Sequence, residues 1–170
     1  MDASKLITHL LQDDGEIPNN PRFPLLVYPG VVSGESAEGI RSRFHQNGWQ
    51  GTWVATVYTY HHYHSTAHEV LGCFQGSATI QFGGESGPKV DVKAGDGVLI
   101  PAGVGHKRIT SSSDFLVVGG YPPGQEVDMC DGTEATRERI LASIASLGVP
   151  ETDPFTGKGG PATQWLKIPA

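Results

Sequence analysis

Apolar positions along the chain follow two rhythms. Near the start, Leu6, Ile7, Leu10 and Leu11 recur at helical spacing after Asp2, which predicts a short amphipathic helix ending near Asp14-Gly15. Pro18, Pro21 and Pro24 then impose an extended approach to a strand over 25–28, because proline has no N–H to donate within a helix or a central ladder. A second helix is predicted over 35–46, with Ser33 or Ser36 as its cap, Ile40 and Phe44 four apart, and Asn47-Gly48 as its stop. From Gly51 to Tyr121 the rhythm changes to β-branched and aromatic runs separated by glycine, at 52–64, 68–75, 77–82, 89–92, 97–100, 106–110 and 115–121. That many short strands in so short a stretch predicts a barrel. A last helix is capped by Thr133, carries Ile140, Ile144 and Leu147 as its stripe, and ends at Gly148 before Pro150. The tail beyond it has turn signals at Asp153-Pro154 and Gly159-Gly160-Pro161, while Trp165, Leu166 and Ile168 suit a segment that packs down.

Composition adds that this is one domain. A chain of 170 residues buries about 70% of its unfolded surface, enough for a core without covalent staples. The reading divides it into N-terminal helices and arm over 1–50, a barrel core over 51–121, and a C-terminal helix with packed tail over 122–170. Cys73 and Cys130 are too few for a secreted disulfide scaffold, and the opening residues lack the apolar run of a signal peptide, which predicts a cytoplasmic protein with free thiols. No stretch approaches the roughly 18 apolar residues of a membrane span. The formal net charge of −6 argues against a nucleic-acid partner.

The candidate chemistry lies between residues 62 and 106. His62 and His64 flank Tyr63, so on a strand both imidazoles share one face and Tyr63 takes the other. Glu69 follows, and Gly95, Pro101 and Gly103 frame His106. Three neutral imidazoles and a carboxylate form a complete donor set for one divalent ion, and such mixed nitrogen and oxygen donors do not choose among Fe, Mn, Ni, Zn and Cu. A helical His64/His68 pair is the weaker alternative, since no glutamate follows His64 as in zinc proteases. His68 is read as lying beside the site or at its rim, and His61 as outward and structural.

The two blocks, 62–76 and 95–106, resemble the two motifs of the cupin superfamily. His62, His64, Glu69 and Gly76 fill every slot of the first, and Gly95, Pro101, Gly103 and His106 those of the second. Two departures, Thr56 and Thr110, remove no ligand. The wording around His64 to Gly72 is similar to that of small single-domain cupins of a largely uncharacterised subfamily. The resemblance implies an all-β fold, the cupin double-stranded β-helix or jelly-roll barrel, with short N-terminal and C-terminal helices, and His62, His64, Glu69 and His106 holding a metal inside it.

In such a barrel the ligands point inward. Parity carried back from His62 places Tyr60, Tyr58, Thr56 and Val54 on the cavity face and Trp53, Val57 and Thr59 outside. Carried forward, it places Leu71, Cys73 and Gln75 inside, and Arg108 and Thr110 beside His106. Arg108 is then either a fork for a substrate carboxylate or enolate, or half of a surface ion pair. Tyr58 and Tyr60 are acid/base groups or half-buried packing, Cys73 is a small buried hydrophobe, and Asp96 is a turn residue. The catalytic candidates are Glu69, Tyr60 and Arg108. An outward face of Trp53, Val57 and Thr59 would suit a homodimer, unless the terminal helices cover it.

Cupins of this layout include dioxygenases, oxalate-handling enzymes and isomerases as well as storage and sensor proteins. The expected function is a metal-dependent reaction on a small, oxygen-rich organic molecule, of dioxygenase type. The alternatives are a non-redox isomerase or decarboxylase, and a non-catalytic module that binds a small ligand.

Overall fold

A computed structural model describes residues 5–133 and 136–169. Two antiparallel sheets face each other. The larger is ordered β1-β2-β7-β4-β9-β3 and the smaller β6-β5-β8. The strands are β1 (Ile7–His9), β2 (Leu25–Tyr28), β3 (Gln50–Ala55), β4 (Glu69–Gln75), β5 (Ser77–Phe82), β6 (Lys89–Lys93), β7 (Gly97–Ile100), β8 (His106–Ser111) and β9 (Leu116–Tyr121). After β4 the chain passes to the small sheet, returns for β7, leaves for β8 and returns for β9, which makes a jelly-roll barrel.

Strand composition follows from what covers each face. β6 reads Lys-Val-Asp-Val-Lys, with Val90 and Val92 turned to the barrel interior and charges toward water. β2 and β7 are buried throughout, so their sequences are continuous apolar runs. Leu25, Val27, Leu71, Val98 and Val117 fill the space between the sheets. Their neighbours Leu26, Tyr28, Val70, Leu99 and Val118 pack on the opposite face of the large sheet. Helix α1 (Ala37–Gln46) covers that outer face with Ile40 and Phe44; Ser36 caps it by accepting from Gly39 N–H at 3.1 Å.

The C-terminal segment completes the outer layer. Asp153, fully buried, accepts from the Tyr28 hydroxyl at 2.7 Å and from the N–H groups of Phe155, Thr156 and Ala162. A 3-10 helix, Pro161–Lys167, then sets Trp165 against Phe23, rings stacked at 4.9 Å, with its indole N–H donating to Pro24 O. The tail packs down as expected, although Leu166 faces solvent.

Three expectations are corrected. The opening segment is strand rather than helix: Ile7–His9 pairs with Leu25–Val27, and the expected helix start falls partly in residues 1–4, outside those described. Helix α2 (Arg137–Ser146) begins after Thr136, while Thr133 lies in the preceding turn with its hydroxyl on Asp131. The strand expected over 52–64 ends at Ala55. Beyond it the chain leaves β9 and lies along β8, with Tyr58 O accepting from Arg108 N–H at 2.9 Å and His62 and His106 exchanging backbone bonds of 3.3 and 2.9 Å. The switch of sheet resets the parity: Val57 joins the interior and Trp53 packs against it, while Val54, Tyr58 and Tyr60 are exposed. Trp53 and Val57 therefore do not form an outward face for a second copy. Among the described residues, no helix is long and apolar enough to cross a membrane.

Candidate metal centre

The structure brings His62, His64 and His106 together at one end of the barrel interior, with ligand nitrogens all within 4.8 Å of one another. Each arrives by a different constraint. His62 is held by its reciprocal bonds to His106, and the His64 carbonyl accepts from Gly103 N–H at 2.7 Å. Gly103 adopts φ of 90°, and a Cβ there would lie 2.4 Å from Asn19 O, so only glycine makes this turn. Tyr63 points the other way and packs with Ile17 and Cys130. Glu69 opens β4 opposite Ile100 and directs Oε2 to 3.1 Å from His64 Nε2 and Oε1 to 3.2 Å from His106 Nε2.

The hydrogen bonds set the imidazole tautomers. Nδ1 of His62 faces Tyr60 O at 3.3 Å, that of His64 faces Asp128 O at 2.6 Å, and that of His106 faces Val104 O at 3.0 Å. A carbonyl only accepts, so each Nδ1 carries the proton and each Nε2 presents a lone pair to the cavity. Nε2 of His64 and of His106 is buried without a hydrogen-bond partner, each with a Glu69 oxygen nearby. Buried lone pairs converging on a carboxylate fit a cation among them, so these residues suit a divalent ion.

Burial and the Glu69 carboxylate set the electrostatics of the cluster. Burial by itself would raise the Glu69 carboxyl, but the adjacent His64 and His106 outweigh it and hold the group well below the usual carboxylate range. Burial, with His106 alongside, pushes His62 down to about 3, which keeps it neutral. Burial also lowers His64, but the Glu69 carboxylate overrides it and the net shift is upward.

The cavity beside these groups has a volume of about 400 Å³. Trp53, Val57, Leu71 and Met129 give it apolar walls, and Tyr58 stands at its edge. Tyr121 also lines it: the register Leu71↔Gly119, Val70↔Gly120 carries β9 on to set Tyr121 opposite Glu69. The Tyr121 hydroxyl accepts from Trp53 Nε1 at 2.9 Å. Burial and then the neighbouring Glu69 raise its phenol well above the ordinary tyrosine value. Gly119 makes room for this pair, since a Cβ there would come within 2.1 Å of the Trp53 indole.

Other sequence candidates sit elsewhere. Arg108 donates Nε to Val57 O at 2.9 Å and Nη1 to Ser111 Oγ at 2.7 Å, and does not line the cavity. Tyr60 stacks on Tyr58 at 5.0 Å, lies 5.8 Å from the His62 ring, and lines a separate surface hollow with His61 and Glu85. His68 lies in the outer layer, its ring 5.7 Å from Phe23 at 72°, apart from the cluster of His62, His64 and His106. Cys73 is buried in the barrel interior, and burial pushes its thiol up to about 11. Asp96 is a turn residue and also a tie, accepting from the N–H groups of Lys93 and Gly30.

Tyr121, Asp128 and Met129 carry no role in the sequence analysis, and Trp53, expected on the outer face, lines the cavity instead. Tyr121 was legible in principle, because Val117, Gly119 and Tyr121 alternate toward one face of β9. Asp128 and Met129 carry no local signal, since they reach the site through a loop anchored by Asp128 carboxylate bonds to Ser65 N–H and Oγ.

Residues 51–118 match the family model of the cupin domain. The chain is also 46% identical over 162 residues to the uncharacterized protein YjlB of Bacillus subtilis (strain 168), covering 94% of this chain and 96% of that protein. It belongs to the cupin superfamily. Among solved structures, this cupin resembles WlaRA, a TDP-fucose-3,4-ketoisomerase of Campylobacter jejuni, at 13% identity and TM-score 0.38, covering 46% of this chain and 63% of that one. It resembles a DUF861 family protein of Thermotoga maritima at 20% identity and TM-score 0.32, covering 51% and 90%. A mutant of Bacillus subtilis oxalate decarboxylase follows at 16% identity and TM-score 0.39, covering 64% of this chain and 28% of that one.

Proposed function

We propose that this cupin is a cytosolic metal-dependent enzyme acting on a small, oxygen-rich organic molecule, with a dioxygenase-type oxidation as its reaction. The observation that carries the metal reading is the pair of buried Nε2 atoms on His64 and His106, left unpartnered by Nδ1 bonds to main-chain carbonyls. His62, His64, His106 and Glu69 would hold one divalent ion. Such an ion supplies a Lewis-acidic centre, and, if redox-active, a route for electrons between substrate and dioxygen.

The chain's own groups prepare the pocket around it. Fixed Nδ1 bonds keep the rings from swinging, so the donors need little reorganisation. Tyr121 retains its proton beside Glu69 and, with Trp53 donating to its oxygen, can turn its O–H toward a ligand oxygen. Apolar walls exclude water from a reactive ligand. Arg108, through Val57 O, positions the segment that carries Tyr58 and His62, and Tyr60 supports Tyr58 from behind.

The test is elemental analysis of protein purified without added metal, followed by oxygen-electrode assays with enediols and phenols. A stoichiometric redox metal with substrate-dependent oxygen uptake is the expected result. Protein that takes up no metal overturns the proposal. A redox-inert ion with turnover but no oxygen uptake replaces the oxidation with isomerisation or decarboxylation.

A further inference from the structure

The cavity bears charged groups at one end only. Among the described residues lining it there is no lysine or arginine, and Glu69 is the one carboxylate. Arg108, the nearest sequence candidate for a substrate anchor, spends its guanidinium on Val57 O and Ser111 Oγ. Away from the histidines the walls are mainly Trp53, Val57, Leu71 and Met129, with Thr56, Tyr58 and Tyr121 as neutral hydroxyl-bearing groups. At the mouth, Tyr58 is 51% exposed and Met129 53% exposed, and Tyr58 is stiffened by its stack on Tyr60, with rings 5.0 Å apart and 20° from parallel.

These features limit the ligand by charge and by shape. Building on the metal reading above, an ion of charge two beside Glu69 leaves one positive charge, which compensates a single negative charge on the ligand. A second negative charge would meet only apolar side chains and neutral hydroxyls, with no cation to pair with it, and a buried unpaired charge is strongly disfavoured. A dicarboxylate as small as oxalate would also leave most of the roughly 400 Å³ cavity to water against apolar side chains. A flat, apolar body instead covers the Trp53 and Leu71 walls and lies against the presented Tyr58 ring, where aromatic contacts add to area burial.

We infer that the ligand carries at most one negative charge, on oxygen donors at one end of an apolar body that meets the Trp53 and Tyr58 rings. Its oxygens face the histidine cluster, and its body fills the space between Trp53 and the rim of Tyr58 and Met129. Tyr58 and Met129 are thus specificity determinants, outside the ligand set.

The experiment is a calorimetric titration of zinc-loaded protein under nitrogen, which prevents catechol oxidation, with tert-butylcatechol and with oxalate as probes. The expected result is binding of tert-butylcatechol at least about tenfold tighter than oxalate. Tyr58→Ser should weaken the catechol probe by about tenfold with zinc content unchanged. Met129→Arg, at an exposed position where the fold is not at stake, should move the ratio toward oxalate by adding the missing cation. Zinc-loaded protein that binds oxalate as tightly, or that keeps the same ratio in both variants, overturns this inference and leaves the metal reading standing. Failure to take up zinc overturns the metal reading and this inference with it.

Discussion

On the outer face of the large sheet, His68 is wholly buried against Phe23 and Trp165, with Nδ1 accepting from Ala102 N–H at 2.9 Å and Nε2 donating to Gly148 O at 3.1 Å. On the inner face, His64 and His106 are almost as buried, yet each has one nitrogen on a main-chain carbonyl and the other turned, without a hydrogen bond, toward Glu69 and the cavity. His64 and His68 are one helical turn apart in sequence and serve opposite ends. The difference teaches that burial does not mark a ligand histidine; an unpartnered nitrogen facing other donors does. The outer layer stabilises, with every side-chain polar atom of Asp153 and His68 matched to a partner. The inner end gathers three histidines able to hold a metal ion.

The sharpest way to break that contrast is a pair of variants with opposite effects. His106→Ala should lose most bound metal while far-ultraviolet circular dichroism keeps its β signature, because the barrel core does not depend on the ion. Phe155→Ala removes a ring packed between Tyr28 and Phe44 and should lower stability by about 3–5 kcal/mol in urea unfolding, with the metal content of folded protein unchanged. If Phe155→Ala also empties the metal site, the two faces are not independent.

The next effect concerns pH. Burial depresses His68 to about 4, so between the unfolded-state value near 6.5 and about 4 the unfolded chain takes up a proton that the folded chain refuses. Stability of the metal-free protein should therefore fall by about 3 kcal/mol from this group as pH drops through that window. In His68→Gln, denaturant midpoints measured across the same range should fall less steeply. Parallel pH curves for the two proteins would contradict the assignment.

A smaller effect tests the wall between the faces. Gly119→Ala places a methyl group where the Trp53 indole now lies and should destabilise by about 1–3 kcal/mol. It should also break the Trp53–Tyr121 hydrogen bond and shift the fluorescence of the cavity tryptophan. An unchanged emission spectrum would mean that Gly119 does not set this wall.

Elements whose residues are sorted by a local period were legible in the chain. The strands from 69 to 121 and helix α1 stand close to where alternation, glycine breaks and capping residues placed them. The opening segment was not legible, because Leu6, Ile7, Leu10 and Leu11 satisfy a helical period while Ile7–His9 is claimed by the edge of β2. Parity carried back from His62 failed for a related reason. Between Ala55 and His62 the backbone changes its hydrogen-bonding partner from β9 to β8, and no residue type announces that exchange.

By itself the sequence determined the donor types, their order and the glycine-proline turns that frame them, since these follow from the stereochemistry of a few adjacent residues. Tertiary structure alone decided that three Nε2 atoms face one cavity, that Arg108 and Tyr60 stay out of it, and that Trp53, Tyr121 and Met129 line it. Those outcomes depend on strand register and on backbone bonds between distant segments. Such bonds are set by the whole sheet closing on itself, and a local pattern cannot encode them.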